Sequence, residues 1–366
     1  AGSELFGVDL TVDGPHKTWN GETTIEWDVE VENTGRVQET IDLTVDPESG
    51  QGCKSDGSMS ISVEPSQVQL DNESSEWVTV TLEVPEGKSS DKYCWEIEGV
   101  VSNDQNPNGS ASDAEIFDLN VPELKECELS LSKTSMSVEP GETGTLKATF
   151  SNDGNTDWSV NVGFKDDPNN WADVDGASSG NLPYDGGDGE KEFTIDVTPD
   201  DSVEANSQTT IKIQGKDGNM VKCESPLAVT VGQSRGATIS LGNTAIYNVE
   251  PGQSTNTTLT VTNTGNGPDT FKISASNPPS GWSVSLESTT VSTQSRFSND
   301  KSVTIDVSIS LPTNALATEE KTITFSVMPS SSNGAYDTQE LKITVKEVHA
   351  MSGEAVADDQ TGRSDT

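Results

Sequence analysis

Apolar and polar residues alternate with a period of two in short segments throughout the chain. Ile25, Trp27, Val29 and Val31 share one face of such a segment, and clusters of Asn, Gly, Asp and Pro separate the segments. This alternation is typical of half-buried strands, and no stretch carries the 3.6-residue period of a convincing helix. The pattern therefore predicts an all-β protein built of β-sandwiches.

The alternating pattern is itself repeated at a distance of 111 residues. Val138-Glu139-Pro140-Gly141 corresponds to Val249-Glu250-Pro251-Gly252. Each is followed by an alternating strand, an Asn-x-Gly turn and a Pro-x-x-Trp segment. A looser copy lies upstream, where Thr24 to Val31 precedes Asn33-Thr34-Gly35. A repeat of this period in 366 residues predicts three tandem modules.

The repeat also sets the expected domain boundaries. We place the first, divergent module at 1–122, the second at 123–233 and the third at 234–348, joined by short linkers. The polar segment 349–366 has no apolar pattern, and we expect it to be disordered.

Several repeated residues have structural interpretations. The Val-Glu-Pro-Gly segments are expected to be turns that end strands, and the Asn-x-Gly turns to use the tolerance of Asn and Gly for positive φ. Trp171 and Trp282 occupy one repeat position. We therefore interpret them as core or loop anchors, with sugar-stacking platforms as the alternative.

Four cysteines allow three pairings, and pairing within modules gives Cys53–Cys94 and Cys127–Cys223. Such bridges would stabilise their modules by about 4 and 5 kcal/mol and would indicate an oxidising, extracytoplasmic setting. Free thiols are the alternative. The first module has no counterpart of Trp171, and we expect its disulfide, with Trp95 beside it, to replace that packing.

The charge of the chain limits its partners. The net charge is −40, and the first 122 residues carry 26 acidic and 5 basic residues. Such a surface repels nucleic acid and anionic lipid, so neither is an expected partner. No segment approaches the roughly 20 apolar residues of a membrane span, so we expect no membrane insertion. An acidic, Lys-poor exterior also suits a secreted protein in salty water.

Two weaker features fit an exported glycoprotein and an assembling protein. The sequons at Asn72, Asn108 and Asn256 are candidate glycosylation sites. The segment from Leu5 to Val12 is predicted to be a first strand, which pairs within its own module or adds to the sheet edge of a neighbouring molecule. Its candidate assembly residues are the apolar ones, Leu5, Phe6, Val8, Leu10 and Val12.

The order Pro-Gly, alternating strand, Asn-x-Gly, then Pro-x-x-Trp resembles the CARDB and alpha-galactosidase-associated module families of prokaryotic surface proteins. The resemblance covers Cys127 to Val231 and Ala237 to Val345 well, and the first module less well. It implies seven-stranded immunoglobulin-like sandwiches that act as spacer, adhesion or accessory modules. Together with the acidic composition, it leads us to expect a prokaryotic, archaeal source. Because the family motifs are structural, the resemblance implies no catalytic residue.

Catalytic chemistry has little support in the sequence. The string Gly176-Ala177-Ser178-Ser179-Gly180 matches the hydrolase elbow, but it lies in an expected loop of a β module. The two histidines, His16 and His349, lie in another module and in the tail. We therefore expect that the protein is not an enzyme.

Calcium is the one cofactor with a plausible basis, because oxygen ligands are abundant. The string that begins at Asp153 starts like an EF-hand loop but has Trp158 at the Gly position and Phe164 at the Glu position. It fails as an EF-hand, and a plain turn is the favoured interpretation. The weak candidate ligands are Asp153, Asn155, Asp157, Asp166 and Asp167, with Asp173 and Asp175 nearby.

Two functional hypotheses follow. The first is an extracellular structural protein, a subunit or segment of a surface filament, stalk or S-layer, that associates with itself or with other surface proteins. The second is an adhesin or accessory binding module that recognises glycan or protein through the loops Asp46 to Ser58 and Asp173 to Gly189.

Overall fold

A computed structural model of the chain describes residues 5–50, 52–184, 186 and 189–349. These residues form 27 β-strands and one 3₁₀ turn, Pro168–Asn170. No helix in this part of the chain is long and apolar enough to span a bilayer. The prediction of an all-β fold of three tandem sandwiches is confirmed, but each sandwich has nine strands and not the seven that the family resemblance implies.

The first module, β1 to β9, is a sandwich of two sheets. The four-stranded sheet has the order β1-β3-β7-β5 and the five-stranded sheet the order β2-β9-β8-β4-β6. The short β2 pairs in parallel with β9. The strands are β1 (Val8–Val12), β2 (His16–Thr18), β3 (Thr24–Asn33), β4 (Glu39–Glu48), β5 (Ile61–Glu64), β6 (Gln67–Leu70), β7 (Ser75–Glu83), β8 (Asp91–Val101) and β9 (Ser112–Val121).

The second module, β10 to β18, repeats this arrangement. Its sheets have the orders β10-β12-β16-β14 and β11-β18-β17-β13-β15, and β11 pairs in parallel with β18. The strands are β10 (Cys127–Leu131), β11 (Ser135–Val138), β12 (Gly144–Asn152), β13 (Trp158–Lys165), β14 (Ala172–Val174), β15 (Ser179–Leu182), β16 (Glu190–Val197), β17 (Gln208–Asp217) and β18 (Met220–Val231).

The third module, β19 to β27, has the same strand order again. Its sheets are β19-β21-β25-β23 and β20-β27-β26-β22-β24. The strands are β19 (Ala237–Leu241), β20 (Ala245–Val249), β21 (Ser254–Asn263), β22 (Asp269–Ser276), β23 (Ser283–Leu286), β24 (Thr290–Thr293), β25 (Ser302–Ser310), β26 (Glu320–Pro329) and β27 (Asp337–Val345).

The described part of the chain divides into two compact units. The first is built on the first module and most of the second. The second unit contains the segments Ser135–Gly144 and Val197–Thr209 and the residues from Ala228 onward, which include the third module. The predicted boundaries at 122, 233 and 348 remain predictions, and residues 350–366 of the predicted disordered tail lie outside the described residues.

The alternation seen in the sequence places one face of each long strand in a core. In β3, Ile25, Trp27, Val29 and Val31 are buried while the residues between them face outward. Aromatic rings fill the centre of the first module: Trp27 lies 4.8 Å from Phe117 and 6.2 Å from Trp95, between ring centroids. Burial of such large side chains is the main stabilising contribution in each sandwich.

Candidate functional site

The first Asn of each Asn-x-Gly turn is a buried brace inside its own module. Asn33, Asn152 and Asn263 are at most 1% exposed. In all three turns the side-chain Oδ1 accepts a hydrogen bond from the turn Gly at 2.7–2.9 Å. The side-chain Nδ2 donates to two backbone carbonyls, which are those of Gly267 and Gln294 for Asn263. The amide therefore provides hydrogen-bond partners for backbone groups on both sides of the turn.

The turn Gly is needed for a different reason from the one predicted. Neither the Asn nor the Gly of these turns has a positive φ. Instead, the segment before each first strand passes directly over the Gly. A Cβ at Gly154 would lie 2.0 Å from the Leu124 carbonyl oxygen, and one at Gly265 would lie 2.4 Å from that of Ser234. The turn prediction holds, but its physical cause is close backbone approach.

The residue after the turn Gly clamps the linker between the first and second modules. Asn155, 4% exposed, accepts a hydrogen bond from the Leu124 N–H at 2.7 Å and donates from Nδ2 to the Pro122 carbonyl at 3.1 Å. Its own carbonyl accepts from the N–H of Ser90, in a loop of the first module, at 3.0 Å. One buried residue thus bonds to the linker and to the preceding module.

Asn266 repeats this clamp between the second and third modules. It is fully buried, accepts from the Ser234 N–H at 2.8 Å and donates to the carbonyls of Gly232 and Val203 at 3.0 and 3.2 Å. Its carbonyl accepts from the Ala205 N–H at 3.0 Å. The two clamp residues lie 111 residues apart, and each bonds to two linker residues in the same pattern. In the first module the corresponding residue is Arg36, which is exposed.

Both predicted disulfides are present, Cys53–Cys94 and Cys127–Cys223, and the described residues contain no free cysteine. The expectation that Trp95 lies beside the first bridge is wrong. Adjacent residues of a strand face opposite sides, so Trp95 points away from Cys94. Its ring lies in the core, 6.1 Å from that of Phe117.

The first disulfide lines a cavity of about 280 Å³ that the sequence did not reveal. Asp118, 5% exposed, forms its charged floor: its Oδ2 lies 2.5 Å from His16 Nδ1 and 3.2 Å from Lys92 Nζ. Glu48 contributes a further carboxylate. His16 reaches Asp118 because β2 pairs in parallel with β9, a long-range pairing that no local pattern predicts.

Trp171 and Trp282 are loop anchors, as favoured from the repeat. They are 6% and 8% exposed. The carboxylate of Asp167 accepts from the Trp171 N–H at 2.9 Å and from the Ala172 N–H. Burial raises the pKa of Asp167, although these two hydrogen bonds oppose the shift.

Three of the five candidate calcium ligands make other contacts. Asn155 holds the linker, Asp157 accepts from the Tyr184 N–H at 2.5 Å, and Asp167 holds the Trp171 loop. Asp153 is exposed, and Asp166 lies in a positive-φ position. Among the described residues, no three acidic, His or Cys side chains form a group suited to a metal ion. The structure does not bring the predicted ligand set together.

The candidate assembly strand is shorter than predicted and pairs within its own module. Only Val8–Val12 is extended, and it pairs with β3 in antiparallel register. Val8, Leu10 and Val12 are buried in the module's own core, whereas Leu5 is 56% exposed and Phe6 packs against the core from its edge. Donation of this strand to a neighbouring molecule remains a prediction. It would remove Val8, Leu10 and Val12 from the core of their own module.

The free edge of that strand is also capped. The Leu10 N–H donates to the Asp113 carboxylate at 2.8 Å, and the corresponding Ile239 N–H donates to Asp337 at 3.0 Å. An edge N–H that already has a partner is less available to an added strand.

The remaining candidates lie on the surface. Asn72, Asn108 and Asn256 are exposed, so their use as glycosylation sites remains a prediction. The Gly176 to Gly180 string precedes and enters the short strand β15, not the helix that a hydrolase elbow needs.

Comparison with known proteins gave one family match, to the NPCBM-associated, NEW3 domain of alpha-galactosidase, over residues 249–330. A search of curated proteins gave no match. Among solved structures, mouse cadherin-23 EC22–24 shares 13% identity and a TM-score of 0.39, covering 94% of this chain and 100% of that one.

PcdhgB3 EC1–4 shares 10% identity and a TM-score of 0.43, covering 93% of this chain and 76% of that one. A Porphyromonas gingivalis W83 protein of unknown function shares 13% identity and a TM-score of 0.23, covering 61% of this chain and 99% of that one. The third module is thus similar to the alpha-galactosidase-associated family. The resemblance to CARDB and the archaeal source remain predictions.

Proposed function

We propose that the chain is an extracellular structural protein, a subunit or segment of a cell-surface assembly such as a filament, stalk or S-layer. The observation that carries this proposal is the repeated clamp, in which Asn155 and Asn266 each bond to a linker and to the module before it. A linker whose backbone groups are bonded to a buried amide resists bending. That property suits a spacing element.

Two further observations support the proposal. The disulfides fit an oxidising, extracytoplasmic location. The net charge of −40 disfavours nucleic acid as a partner and keeps the chain soluble at high salt. The partners are then further copies of the chain or other surface proteins.

Electron microscopy combined with light scattering of the purified chain tests this function. We expect ordered filaments or lattices, and we expect Asn155→Ala and Asn266→Ala to make them irregular. The exposed residue Asn256 offers a matched Asn→Ala control. Repeating the measurement with millimolar calcium and with a chelator tests the cofactor prediction separately. A persistent monomer at every protein concentration would refute the structural proposal.

The second candidate function is an adhesin or accessory binding module. The cavity beside Cys53–Cys94 favours it, because the buried Asp118 with His16 and Lys92 forms a polar site in that cavity. Glycan and protein arrays probed with the wild type and with His16→Ala test this candidate. Binding that is lost in the variant would support it, and an empty array or unchanged binding would reject it.

A further inference from the structure

A second cavity, of about 320 Å³, lies between the first and second modules within the first compact unit. Two half-buried aromatic rings line it, Trp19 from the first module and Tyr184 from the second. Leu124, 49% exposed, adds apolar surface. A cleft between modules with aromatic walls and a few polar groups is the usual form of a small-ligand site.

Both aromatic residues are held in place by hydrogen bonds of their backbone N–H groups and of their side-chain polar atoms. The Trp19 backbone N–H donates to the Asn120 carbonyl at 2.9 Å, and its Nε1 donates to the Glu22 carbonyl at 2.8 Å. The Tyr184 N–H donates to Asp157 at 2.5 Å, and its hydroxyl donates to the Gly87 carbonyl of the first module. These aromatic surfaces are therefore fixed before any ligand arrives, which lowers the entropy lost on binding.

The side-chain donors that line the cleft already bond to the protein. Besides the two aromatic residues, Lys88 is paired with Asp56, Asn152 braces its turn, and Asn155 clamps the linker. Burial, with a smaller contribution from the charge of Lys54, also lowers the pKa of Lys88. The lining thus offers a ligand few donors.

The acceptors of the cleft are charged and exposed. Glu86 and Asp153 line it from the first and second modules, and both are exposed. The chain around them has a net charge of −40. Carboxylates and aromatic faces together attract organic cations, because the ring quadrupole is negative over the face. An anionic ligand would be repelled, and a sugar would find acceptors without the donors that its own oxygens need.

We propose that this cleft binds an alkylammonium group, with its apolar part against Trp19 and Tyr184 and its charge near Glu86 and Asp153. The group belongs either to a lysine side chain of a partner protein or to a free amine. The proposal does not rest on the structural role assigned to the clamps, although Asn155 also lines the cleft.

Titration calorimetry on the full chain tests the site with three probes: choline, n-butylammonium, and 3,3-dimethyl-1-butanol, the uncharged isostere of choline. We expect at least one cation to bind and the isostere to bind about tenfold more weakly. Preference for n-butylammonium indicates a lysine side chain, and preference for choline a quaternary amine. Equal binding of choline and its isostere, or no binding of either cation, would overturn the proposal.

Variants locate the binding. We expect Trp19→Ala, and separately Glu86→Gln combined with Asp153→Asn, to weaken cation binding about tenfold. The second variant keeps the shape of both side chains, so it remains informative if Trp19→Ala unfolds. The matched controls are Trp77→Ala, an exposed Trp on β7, and Glu76→Gln beside it. Equal loss in the control variants, or binding of methyl glucoside in place of the cations, would show that no ammonium site exists here.

Discussion

Removal of the clamp side chain in Asn266→Ala tests how much the second junction depends on one residue. The substitution removes the acceptor for the Ser234 N–H and the donor to the carbonyls of Gly232 and Val203. Each buried backbone group left without a partner costs about 1–3 kcal/mol. Because water can enter a junction more easily than a core, we expect the lower end for each group, or about 3 kcal/mol in total.

Calorimetric unfolding and amide hydrogen exchange measure the effect. A loss of this size lowers the Tm of a domain of about 110 residues by roughly 10–20 °C. The Ser234 amide should exchange faster, while amides in the centre of β21 should exchange as before if only the junction opens. Asn155→Ala loses two side-chain hydrogen bonds to backbone groups instead of three, and we expect a loss of about 2 kcal/mol.

The control is Asn256→Ala, at an exposed position of β21 in the same module. We expect it to change the stability by less than about 0.5 kcal/mol. If Asn266→Ala matched this control in both Tm and Ser234 exchange, the linker would be held by other contacts. The reasoning about the clamps would then be refuted.

Three further predictions concern other contacts. Burial, followed by the charge of Asp104, raises the pKa of Glu39, so the ionised form of its carboxyl disfavours folding. In urea unfolding, Glu39→Gln should therefore gain stability relative to wild type as the pH rises from about 4 to 7. Asp113→Ala frees the Leu10 edge N–H and should increase concentration-dependent association in sedimentation velocity. Replacing Cys127 and Cys223 by Ala should destabilise the second module by about 5 kcal/mol in chemical denaturation.

For each of these predictions, one experimental outcome would contradict it. A stability difference between Glu39→Gln and wild type that does not vary with pH would show that the carboxyl titrates normally. Unchanged sedimentation of Asp113→Ala, and of the corresponding Asp337→Ala, would show that the edge caps do not limit association. A double Cys variant as stable as wild type would show that the bridge adds nothing to that sandwich.

The strands that could be predicted from sequence are those with one buried and one solvent-exposed face. In β3, β12 and β21 the alternation alone gives the element and its inward residues, because one face is solvated in each. The short strand β2 is not predicted by the sequence, and of β11 and β20 the sequence predicts only the ends, at Val138 and Val249. They join their sheets by parallel pairing with the last strand of the module, a contact set by the closed sandwich and absent from any local period.

The site could be predicted only in part, for a similar reason. The within-module disulfides and the buried Trp pair followed from repeat position. The Asn that follows the turn Gly in the second and third modules has no structural role in the sequence-based prediction, because Asn155 stands among several oxygen ligands in a polar segment. A signal was present: Asn155 and Asn266 match at the repeat distance while the residues before their turn Gly, Asp153 and Thr264, differ.

The arrangement of the turn has a consequence for how such chains change in length during evolution. Each clamped module carries its own coupling residue four positions into the turn, and the residue contacts mainly backbone atoms of the module before it. Backbone atoms are present whatever the preceding sequence is. A gene segment encoding one module can therefore be duplicated or inserted and still join its new neighbour in the same way, without compensating substitutions on the other side.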